Sequence, residues 1–420
     1  MKKVAFYTLG CKVNTYDSSY MQALFEQSGY ETVDFEQQAD IVVINTCTVT
    51  AVADKKSRAA IRRAAKTGQV IVVGCLAQRA ANELLEMEGV SAVIGTDERG
   101  RIVEVAEKLL SGDDAVNLTH DLKGCGFEPM QVASSGERTR GVLKIQEGCD
   151  CFCSYCIIPY VRGRSRSRGF DDVLSEAYAM AKTGIKEIVL TGIHLASYHD
   201  GEKRLGELIQ ALDGCGIRMR LGSIEPGVLG EVFIEQAASV KNFCPHFHLS
   251  LQSGSASVLK RMNRPYTPEE YADFVALLRE RFEAPAITTD VIAGFPAETE
   301  VEHAETLKFV ESIGFSRLHV FPYSAREGTK AYGMSPKVPK ATAKKRAGEL
   351  IVLGEKLEAE YINSQLGRSA DVLFEEASQG YPGLLEGYSE RYIRVSAVAE
   401  KNQLKRVTLK NIKGLTALGE

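Results

Sequence analysis

The segment GVLKIQEGCDCFCSYC, residues 141–156, runs from a strand-like stretch into a loop that contains four cysteines. Three of them, Cys149, Cys153 and Cys156, have the spacing C-x3-C-x2-C. Thiolates are the ligands of iron–sulfur clusters, and three thiolates on a four-iron cluster leave one iron open to bind a further molecule. A structural zinc site is the alternative, but it favours two CxxC pairs or added histidines, and the sequence has no second pair near this loop. The spacing therefore predicts an open iron–sulfur cluster directly after a β-strand.

The fourth cysteine of the loop, Cys151, lies between the first two predicted ligands. A fourth thiolate would close the open iron, so we interpret Cys151 as a loop thiol that points away from the cluster. The chain has ten cysteines in all, and Cys125, Cys215 and Cys244 stand outside any pattern. We expect these three to be structural.

Strand-like and helix-like stretches alternate on the carboxyl side of this loop as far as about Leu366. The strand candidates are GVLKIQ, EIVLTG, RMRLGSI, HFHLSLQ, AITTDVIAG and RLHVFPY. Helical stretches such as PEEYADFVALLRERF lie between them. Six βα units are too many for a small module, and they predict a parallel βα barrel or partial barrel over residues 141–366.

The same alternation fills residues 1–115 and predicts an open parallel α/β domain. Cys11, Cys47 and Cys75 follow the strand-like runs VAFYTL, IVVINT and VIVVG. The carboxyl ends of parallel strands share one edge of a sheet, where ligands bind. We therefore expect these three thiols to converge on a second metal site, although any one of them taken alone reads as an inert buried cysteine.

Two further regions differ from the α/β pattern. Residues 116–140 are polar and glycine-rich, which predicts a linker. Residues 367–420 contain short, closely spaced strand-like runs such as YIRVSAVA and KRVTLKNIKG, which predict a small all-β barrel.

Composition bounds the function. The chain has 420 residues, 44% of them hydrophobic, and a net charge of −4, so any contact with nucleic acid must depend on local basic patches. No apolar run approaches the length of a membrane span, and the start, MKKVAFYTLGCKVN, lacks the features of a signal peptide. We expect a cytoplasmic monomer with no membrane contact.

Basic residues concentrate after the cluster loop and in the tail. Arginines stand at every second position in RGRSRSR, namely Arg162, Arg164, Arg166 and Arg168. In the tail, Tyr392 and Arg394 combine an aromatic and a basic side chain, as single-strand binders do, and strand parity would put them on one face. These six residues are predicted RNA contacts, and a solvated face with internal salt bridges is the alternative for each arginine.

The cysteine signature at the end of the first barrel strand resembles the radical S-adenosylmethionine superfamily. The resemblance implies that Cys149, Cys153 and Cys156 hold a [4Fe–4S] cluster whose open iron binds S-adenosylmethionine. Reductive cleavage of that cofactor then gives a 5′-deoxyadenosyl radical that abstracts hydrogen.

Both cysteine groups, the barrel and the β tail together make the whole chain similar to the methylthiotransferases. The resemblance implies a second [4Fe–4S] cluster on Cys11, Cys47 and Cys75 that takes part in supplying sulfur. It also implies that the tail is a TRAM domain that binds RNA. The reaction replaces a C–H bond with C–S–CH3 and uses one S-adenosylmethionine for the methyl group and another for the radical.

The substrate follows from resemblance alone. LGCKVNTYDS, TAVADKKSR and the cluster loop are most similar to members that modify carbon-2 of N6-threonylcarbamoyladenosine at position 37 of tRNA. Isopentenyladenosine of tRNA and an aspartate of a ribosomal protein are the alternatives within the family. A zinc-stabilised, non-catalytic RNA-binding protein is the alternative outside it. The implied partners are tRNA and an electron donor such as flavodoxin or ferredoxin.

Residues in or just past the later barrel strands are candidate contacts to S-adenosylmethionine, and among them Asp290 would face the barrel interior. They are Thr191, Gly192 and His194 in LTGIHLASY, Ser250 and Gln252 in HLSLQSGS, Asp290, Gly294 and Phe295 in DVIAGFPAET, and Phe321 and Tyr323 in VFPYSAREGT. We expect Gln252 to be a better ribose contact than Ser250 because it lies nearer the strand end. Gly294 would let the backbone approach the adenosine, whereas His194 can equally be a rim histidine without a ligand role.

Overall fold

The computed structural model describes residues 1–132 and 139–420. Three parts follow one another along the chain, as predicted: a parallel α/β domain, a partial βα barrel and a small closed β-barrel. None of the helices in the described residues is long and apolar enough to cross a bilayer.

The first domain is a sheet of six parallel strands in the order β2-β1-β3-β4-β5-β6. Its strands are β1 (Lys3–Thr8), β2 (Glu31–Val33), β3 (Ile41–Thr46), β4 (Gln69–Gly74), β5 (Val90–Ile94) and β6 (Val116–Leu118). Its helices are α1 (Lys12–Gln27), α2 (Ala51–Ala64), α3 (Cys75–Arg79), α4 (Ala81–Leu85) and α5 (Ile102–Leu110). Every residue of β3 is buried because helices cover both faces of the sheet, which explains its uninterrupted apolar run.

The predicted linker begins too early. Strand β6 pairs with β5 at the edge of the sheet, so residues 116–118 belong to the first domain. The polar character of VNLTHD concealed a short edge strand, which is only half-buried and needs little apolar sequence. Residues 133–138 of the predicted linker lie outside the described part of the chain.

The central domain places its strands in two parallel sheets, β13-β10-β7 and β14-β15-β16-β17, and short antiparallel pairs flank them. The strands are β7 (Arg140–Lys144), β8 (Gln146–Glu147), β9 (Arg166–Ser167), β10 (Glu187–Thr191), β11 (His199–Asp200), β12 (Lys203–Arg204), β13 (Arg218–Leu221), β14 (Ser223–Ile224), β15 (His246–Leu249), β16 (Ala286–Ala293) and β17 (Arg317–Pro322). Only Gly222 separates β13 from β14, so one chain segment continues from the first sheet into the second and makes them a partial barrel. All six strand candidates of the sequence lie in this barrel.

Helices cover the outside of the barrel, apart from the short first one, which follows the cysteine loop and packs against α3 of the first domain. They are α6 (Ile158–Arg162), α7 (Phe170–Lys182), α8 (Leu205–Leu212), α9 (Glu231–Ala238), α10 (Ala256–Met262), α11 (Pro268–Arg281), α12 (Glu300–Ile313) and α13 (Lys340–Ser364). Two of them begin with capping boxes, at Thr267 and Thr299, where the threonine side chain accepts a backbone hydrogen bond from the third helical residue. A large apolar cluster between helices and strands forms the core of this domain.

The tail is a closed barrel of five strands in the order β18-β19-β20-β22-β21. The strands are β18 (Ser369–Ala377), β19 (Leu385–Ser389), β20 (Arg394–Ala397), β21 (Leu404–Lys413) and β22 (Thr416–Gly419). Closure leaves no free strand edge, and alternate apolar residues fill the interior.

The tail packs against the amino-terminal ends of the strands of the central barrel. Arg218, the first residue of β13, donates to the carbonyl of Asp371 at 2.5 Å, and Arg220 donates to the carbonyl of Ser389 at 2.9 Å. The ring of Tyr392 stacks on His246, the first residue of β15, with the centroids 4.7 Å apart.

This packing contradicts the predicted RNA contact at Tyr392, because its ring faces the base of the central barrel. The parity argument failed because Tyr392 precedes β20 in a left-handed turn (φ 60°), so strand alternation does not apply to it. The side chain of Arg394 remains 43% exposed beside Glu386, at 3.4 Å, and is still open to a ligand.

The first domain and the barrel share a buried ionic network around Arg162. This side chain is fully buried; it donates to Glu147 at 2.8 Å, to Asn14 at 2.6 Å and to the Sγ of Cys75 at 3.1 Å. Burial alone would raise the pKa of Glu147, but the charge of Arg162 and its cationic neighbours outweighs burial and holds the pKa well below its usual range. The network therefore joins the two domains through ionised groups.

The predicted RNA contacts at three of the four arginines are consequently wrong. Arg162 is committed to the network, Arg166 is buried and donates to the carbonyl of Arg162 at 2.7 Å, and Arg168 is buried against Glu176 and Asp172. Buried guanidinium groups with protein partners cannot reach a phosphate. Arg164 alone of the four is exposed, at 65% of its side chain, and it pairs with Asp150 at 2.9 Å.

We expect Arg162→Met to lower the free energy of unfolding by about 1–3 kcal/mol, because Glu147 and Asn14 lose a buried hydrogen-bond donor while Lys144 and Arg99 still pair with the carboxylates. The urea midpoint of the apo-protein measures the effect. Arg164→Met is the matched control and should change stability by less than about 1 kcal/mol, since its ion pair is solvent-exposed. Equal midpoints for both variants would contradict a stabilising role of the network.

Candidate active site between two groups of cysteines

Three cysteines of the first domain stand at the carboxyl ends of neighbouring strands. Cys11 precedes α1 just after β1, Cys47 follows β3, and Cys75 begins α3 directly after β4. These strands are adjacent in the sheet, and each thiol interacts electrostatically with the other two. The arrangement is that expected for three ligands that approach one another from separate parts of the sequence.

The barrel cysteines occupy the loop after β8, at the carboxyl end of the first barrel strand. Cys149, Cys153 and Cys156 interact with one another, and a turn brings the backbone N–H of Cys156 to 2.9 Å from the carbonyl of Cys153. Arg264 donates from Nη1 to the Sγ of Cys153 at 3.1 Å. Thiolates surrounded by such donors suit an anionic iron–sulfur cluster.

One thiol in each group is deeply buried, and burial changes its acidity. Burial raises the pKa of Cys75 and that of Cys156 to about 12, while the cationic Arg162 beside Cys75 opposes the shift. Ligation of iron by these cysteines therefore has to displace protons from their sulfurs. The donor chemistry in both groups is that of iron–sulfur ligands.

Cys151 does not point away from the first ligand, contrary to the prediction. Its Sγ, the Sγ of Cys149 and a ring nitrogen of His194 all lie within 4.8 Å of one another. The thiol also lies 3.4 Å from a carboxylate oxygen of Glu225. A hydrogen bond with Cys151 is the main cause that lowers the pKa of Cys149 to about 6. The nearby carboxylate of Glu225 and the imidazole of His194 explain the orientation of the Cys151 thiol. The spacing of the cysteines in the sequence contains no information about these two partners.

Cysteines from both groups line one cavity of about 510 Å³, which we call the cluster cavity. Its lining includes Cys11, Cys47, Cys156, Gln252, Phe321 and Tyr323. Sulfur atoms of both domains thus border a single space between the sheet edge and the mouth of the barrel.

Four of the predicted cofactor contacts line this cavity. Gln252 holds a left-handed backbone conformation (φ 70°) and bonds through its N–H to the carbonyl of Asp290 at 2.8 Å. Asp290, Phe321 and Tyr323 complete the set. The phenol oxygen of Tyr323 is buried without a hydrogen-bond partner in the described residues, so it is available to a ligand.

The residues after β10 lie near the other side of the cysteine loop. The N–H of His194 donates to Gln146 at 2.7 Å, and its Nε2 lies 3.2 Å from Glu225. Thr191 is buried, and a Cβ on Gly192 would meet Gln146 at 2.9 Å. Ser250 uses its carbonyl to accept from Arg264 and Tyr266, beside the cysteines.

Two predicted cofactor contacts have other roles. A Cβ on Gly294 would lie 2.4 Å from that of Ala343, so this glycine (φ 75°) allows α13 to pack closely. Phe295 is fully buried in an apolar cluster with Val258 and Met262 and cannot touch a cofactor. The sequence located both residues after the end of a strand, but it did not show that other elements cover them.

Three residues at the site were not predicted. Glu225 follows β14 at the barrel rim, where its strand-end position was a usable signal. Arg264 lies in a loop, where sequence offers no such signal. Lys12 follows Cys11 and lines an open cavity, so solvent can still reach its side chain. The protein that surrounds it removes part of its hydration, and this desolvation together with the charges of Arg220 and Arg140 lowers its pKa.

A parallel partial barrel with clustered thiols after its first strand defines the class of radical S-adenosylmethionine enzymes. Residues 143–310 match the family model described as the radical SAM superfamily, and residues 3–95 match one described as uncharacterized protein family UPF0004. The fold is similar to that of the radical S-adenosylmethionine methyltransferase TsrM from Kitasatospora setae (TM-score 0.57, 15% identity, 77% of this chain and 72% of that one).

Relatives of similar length identify the family. The chain is 40% identical to the threonylcarbamoyladenosine tRNA methylthiotransferase MtaB of Bacillus subtilis, over 94% of this chain and 90% of the relative. It is 36% identical to the protein of that name from Aquifex aeolicus (97% and 100%), and 34% identical to the tRNA-2-methylthio-N(6)-dimethylallyladenosine synthase of Bacteroides fragilis (93% and 88%). The chain belongs to the methylthiotransferase family of radical S-adenosylmethionine enzymes.

Family membership implies two [4Fe–4S] clusters and S-adenosylmethionine, and the donor sets fit them. Two separate groups of three cysteine sulfurs are present, and Arg162 and Arg264 donate hydrogen bonds to one sulfur in each group. The cluster cavity, which both groups border, has room for a ligand of the size of a nucleoside.

Proposed function

We propose that this enzyme methylthiolates carbon-2 of N6-threonylcarbamoyladenosine at position 37 of tRNA, next to the anticodon. Relatives that carry this activity in their names match nearly the whole chain. The observation that carries the proposal is the cluster cavity, where Cys11 and Cys47 of one domain and Cys156 of the other face the same space. Sulfur transfer to a substrate carbon needs that proximity, because the reacting atoms must meet at contact distance.

The two cysteine groups have separate roles in this proposal. Cys149, Cys153 and Cys156 hold the cluster that binds S-adenosylmethionine, and Cys11, Cys47 and Cys75 hold the second cluster. When bound, these groups supply hydrogen abstraction and the inserted sulfur. The chain itself positions the nucleoside between them and keeps the sulfurs in a hydrogen-bonded setting through Arg162 and Arg264.

The tRNA surface extends from the cluster cavity along α2. This helix starts next to the cavity, which Thr50 and Ala53 line, and exposes Lys55, Lys56, Arg62 and Arg63. Exposed basic side chains around a site attract the phosphate backbone. Arg394 on the tail adds a basic group at the other end of the barrel. A flavodoxin- or ferredoxin-type electron donor, a monomeric state and a cytoplasmic location complete the proposal.

Isopentenyladenosine of tRNA is the second candidate substrate, since relatives named for dimethylallyladenosine match at 34% identity. A ribosomal-protein aspartate would leave the RNA-binding type of tail without a direct use. A zinc-stabilised RNA binder would leave the cluster cavity without a role.

Mass spectrometry of tRNA nucleosides from a deletion strain tests the substrate. We expect 2-methylthio-N6-threonylcarbamoyladenosine to disappear and its unmethylthiolated precursor to accumulate, while 2-methylthio-isopentenyladenosine stays at its wild-type level. Complementation with the wild-type gene should restore the product, and complementation with Cys149→Ala should not. Loss of the isopentenyl product instead would transfer the proposal to that substrate.

A further inference from the structure

A second cavity of about 320 Å³ lies inside the barrel, and we call it the barrel cavity. Along β16, Thr288 and Asp290 line the barrel cavity, whereas Asp290 and Ile292 line the cluster cavity. Alternate residues of a strand are about 7 Å apart. The barrel cavity is therefore one layer deeper than the cluster cavity, and Asp290 borders both.

The lining of the barrel cavity carries an excess of positive charge. Four cationic side chains face two carboxylates there: Lys12, Arg140, Arg220 and Arg317 against Glu187 and Asp290. Most of these charges have partners. Arg140 and Arg220 pair with Glu187 at 3.1 and 3.0 Å, and Arg317 pairs with Glu358. Asp290 lies between His248 and His319, at 3.2 and 3.4 Å.

Lys12 is the exception. Throughout residues 1–132 and 139–420, its ammonium group has neither an ion pair nor a hydrogen bond to a side chain. It lines the same cavity as the guanidinium groups of Arg220 and Arg140, whose like charge repels it. An anionic ligand in this cavity would both pair with Lys12 and relieve the repulsion.

The position of Lys12 in the chain connects the two cavities. Cys11 borders the cluster cavity, and the next residue, Lys12, reaches into the barrel cavity. A substrate that reacts beside Cys11 can thus place a substituent beside Lys12. The carboxyl carbon of threonylcarbamoyladenosine is four bonds from N6, which is itself three bonds from the reacting carbon-2. The substituent can therefore extend from that carbon across the roughly 7 Å between the two layers.

We propose that Lys12 binds the carboxylate of the threonylcarbamoyl group and thereby selects this nucleoside over those with a neutral N6 substituent. The inference rests on the proposed substrate and adds the residue that recognises it. An isopentenyl group in the same place would exclude water from Lys12 without offering a hydrogen-bond acceptor, which is costly for a charged group. Sites built to pair with a polar group reject analogues that lack it.

Binding of anticodon stem-loop RNAs to the reconstituted holoenzyme, at fixed salt and without reductant, tests the proposal. One RNA carries threonylcarbamoyladenosine at position 37, and the other carries the same nucleoside with its carboxyl group converted to the primary amide. Phosphate contacts are identical in the two RNAs, so the ratio of their dissociation constants reports the carboxylate alone. For the wild-type enzyme we expect the carboxylate form to bind on the order of 10- to 100-fold more tightly.

Lys12→Gln should abolish this ratio, Lys12→Arg should keep most of it, and Lys182→Gln, at an exposed position on α7, should leave it unchanged. Iron content and the spectrum of each variant verify that the neighbouring cluster is retained. A Lys12→Gln enzyme with the wild-type ratio would overturn the proposal. If this variant loses iron, the wild-type ratio decides, and a ratio near one overturns the proposal.

The same preparation separates this inference from the proposed function. With reductant and S-adenosylmethionine added, the wild-type enzyme should methylthiolate the carboxylate RNA. Absence of that product refutes the substrate assignment itself. Product formation together with no preference for the carboxylate refutes only the role of Lys12.

Discussion

The triple variant Cys11→Ala, Cys47→Ala, Cys75→Ala is expected to form 5′-deoxyadenosine but no methylthiolated tRNA. The barrel thiols form their own group at the carboxyl end of the first barrel strand and do not need the sheet edge to bind S-adenosylmethionine. Cys11 and Cys47 of the sheet edge border the cluster cavity from the opposite domain, where the proposed reaction requires the inserted sulfur. Loss of one of two four-iron clusters should leave about half of the iron.

Chromatographic detection of 5′-deoxyadenosine, iron analysis and nucleoside mass spectrometry measure the three quantities on one preparation. Cys215→Ala is a suitable control, because this half-buried thiol lies in the segment between α8 and β13, away from both groups. A triple variant that still methylthiolates tRNA would reduce these cysteines to ordinary residues of the sheet edge.

Substitution of any one barrel cysteine should abolish cleavage of S-adenosylmethionine. Cys149→Ala, Cys153→Ala and Cys156→Ala each leave two thiolates, too few to hold a four-iron cluster with one open iron. We expect deoxyadenosine production to fall by at least about 1,000-fold, since generation of the radical depends on the cluster. Anaerobic single-turnover assays with dithionite measure it.

Cys151→Ala is the informative comparison for this series. The Cys151 thiol lies beside Cys149, but its removal leaves the three predicted ligands in place. The rate of S-adenosylmethionine cleavage should therefore stay within roughly tenfold of the wild-type rate. Cleavage by Cys153→Ala at the wild-type rate, or its complete loss in Cys151→Ala, would show that the ligand set differs from the one we assign.

The sequence was most informative where function depends on strand ends. Parallel strands place their carboxyl ends on a common edge, so Cys11, Cys47 and Cys75 could be brought together without any knowledge of side-chain packing. The barrel strands were predictable because their buried runs are apolar and regularly separated by helices.

Sequence failed where a partner is distant along the chain. The alternating arginines of RGRSRSR resemble an exposed basic stretch, but Arg162 and Arg168 are buried in ion pairs with Glu147 and Glu176. Sequence analysis predicts that a charged residue is exposed unless its ion-pair partner is known. When the fold brings in a partner from a distant part of the chain, the local sequence does not reveal it. Lys12 shows the converse, because a lysine beside a predicted cluster ligand gives no sign of facing into a barrel.

The tail barrel has a consequence for how the parts of this enzyme communicate. The ring of Tyr392 lines the barrel cavity, so the floor of that cavity belongs to a different domain from its walls. Any RNA contact that shifts the docking of the tail changes the depth of the cavity. By thermodynamic reciprocity, an RNA contact that favours the docked tail and a ligand that needs Tyr392 in place raise each other's affinity by the same factor. In the proposed complex with tRNA, affinity for RNA at the tail and selectivity for the nucleoside are therefore linked quantities.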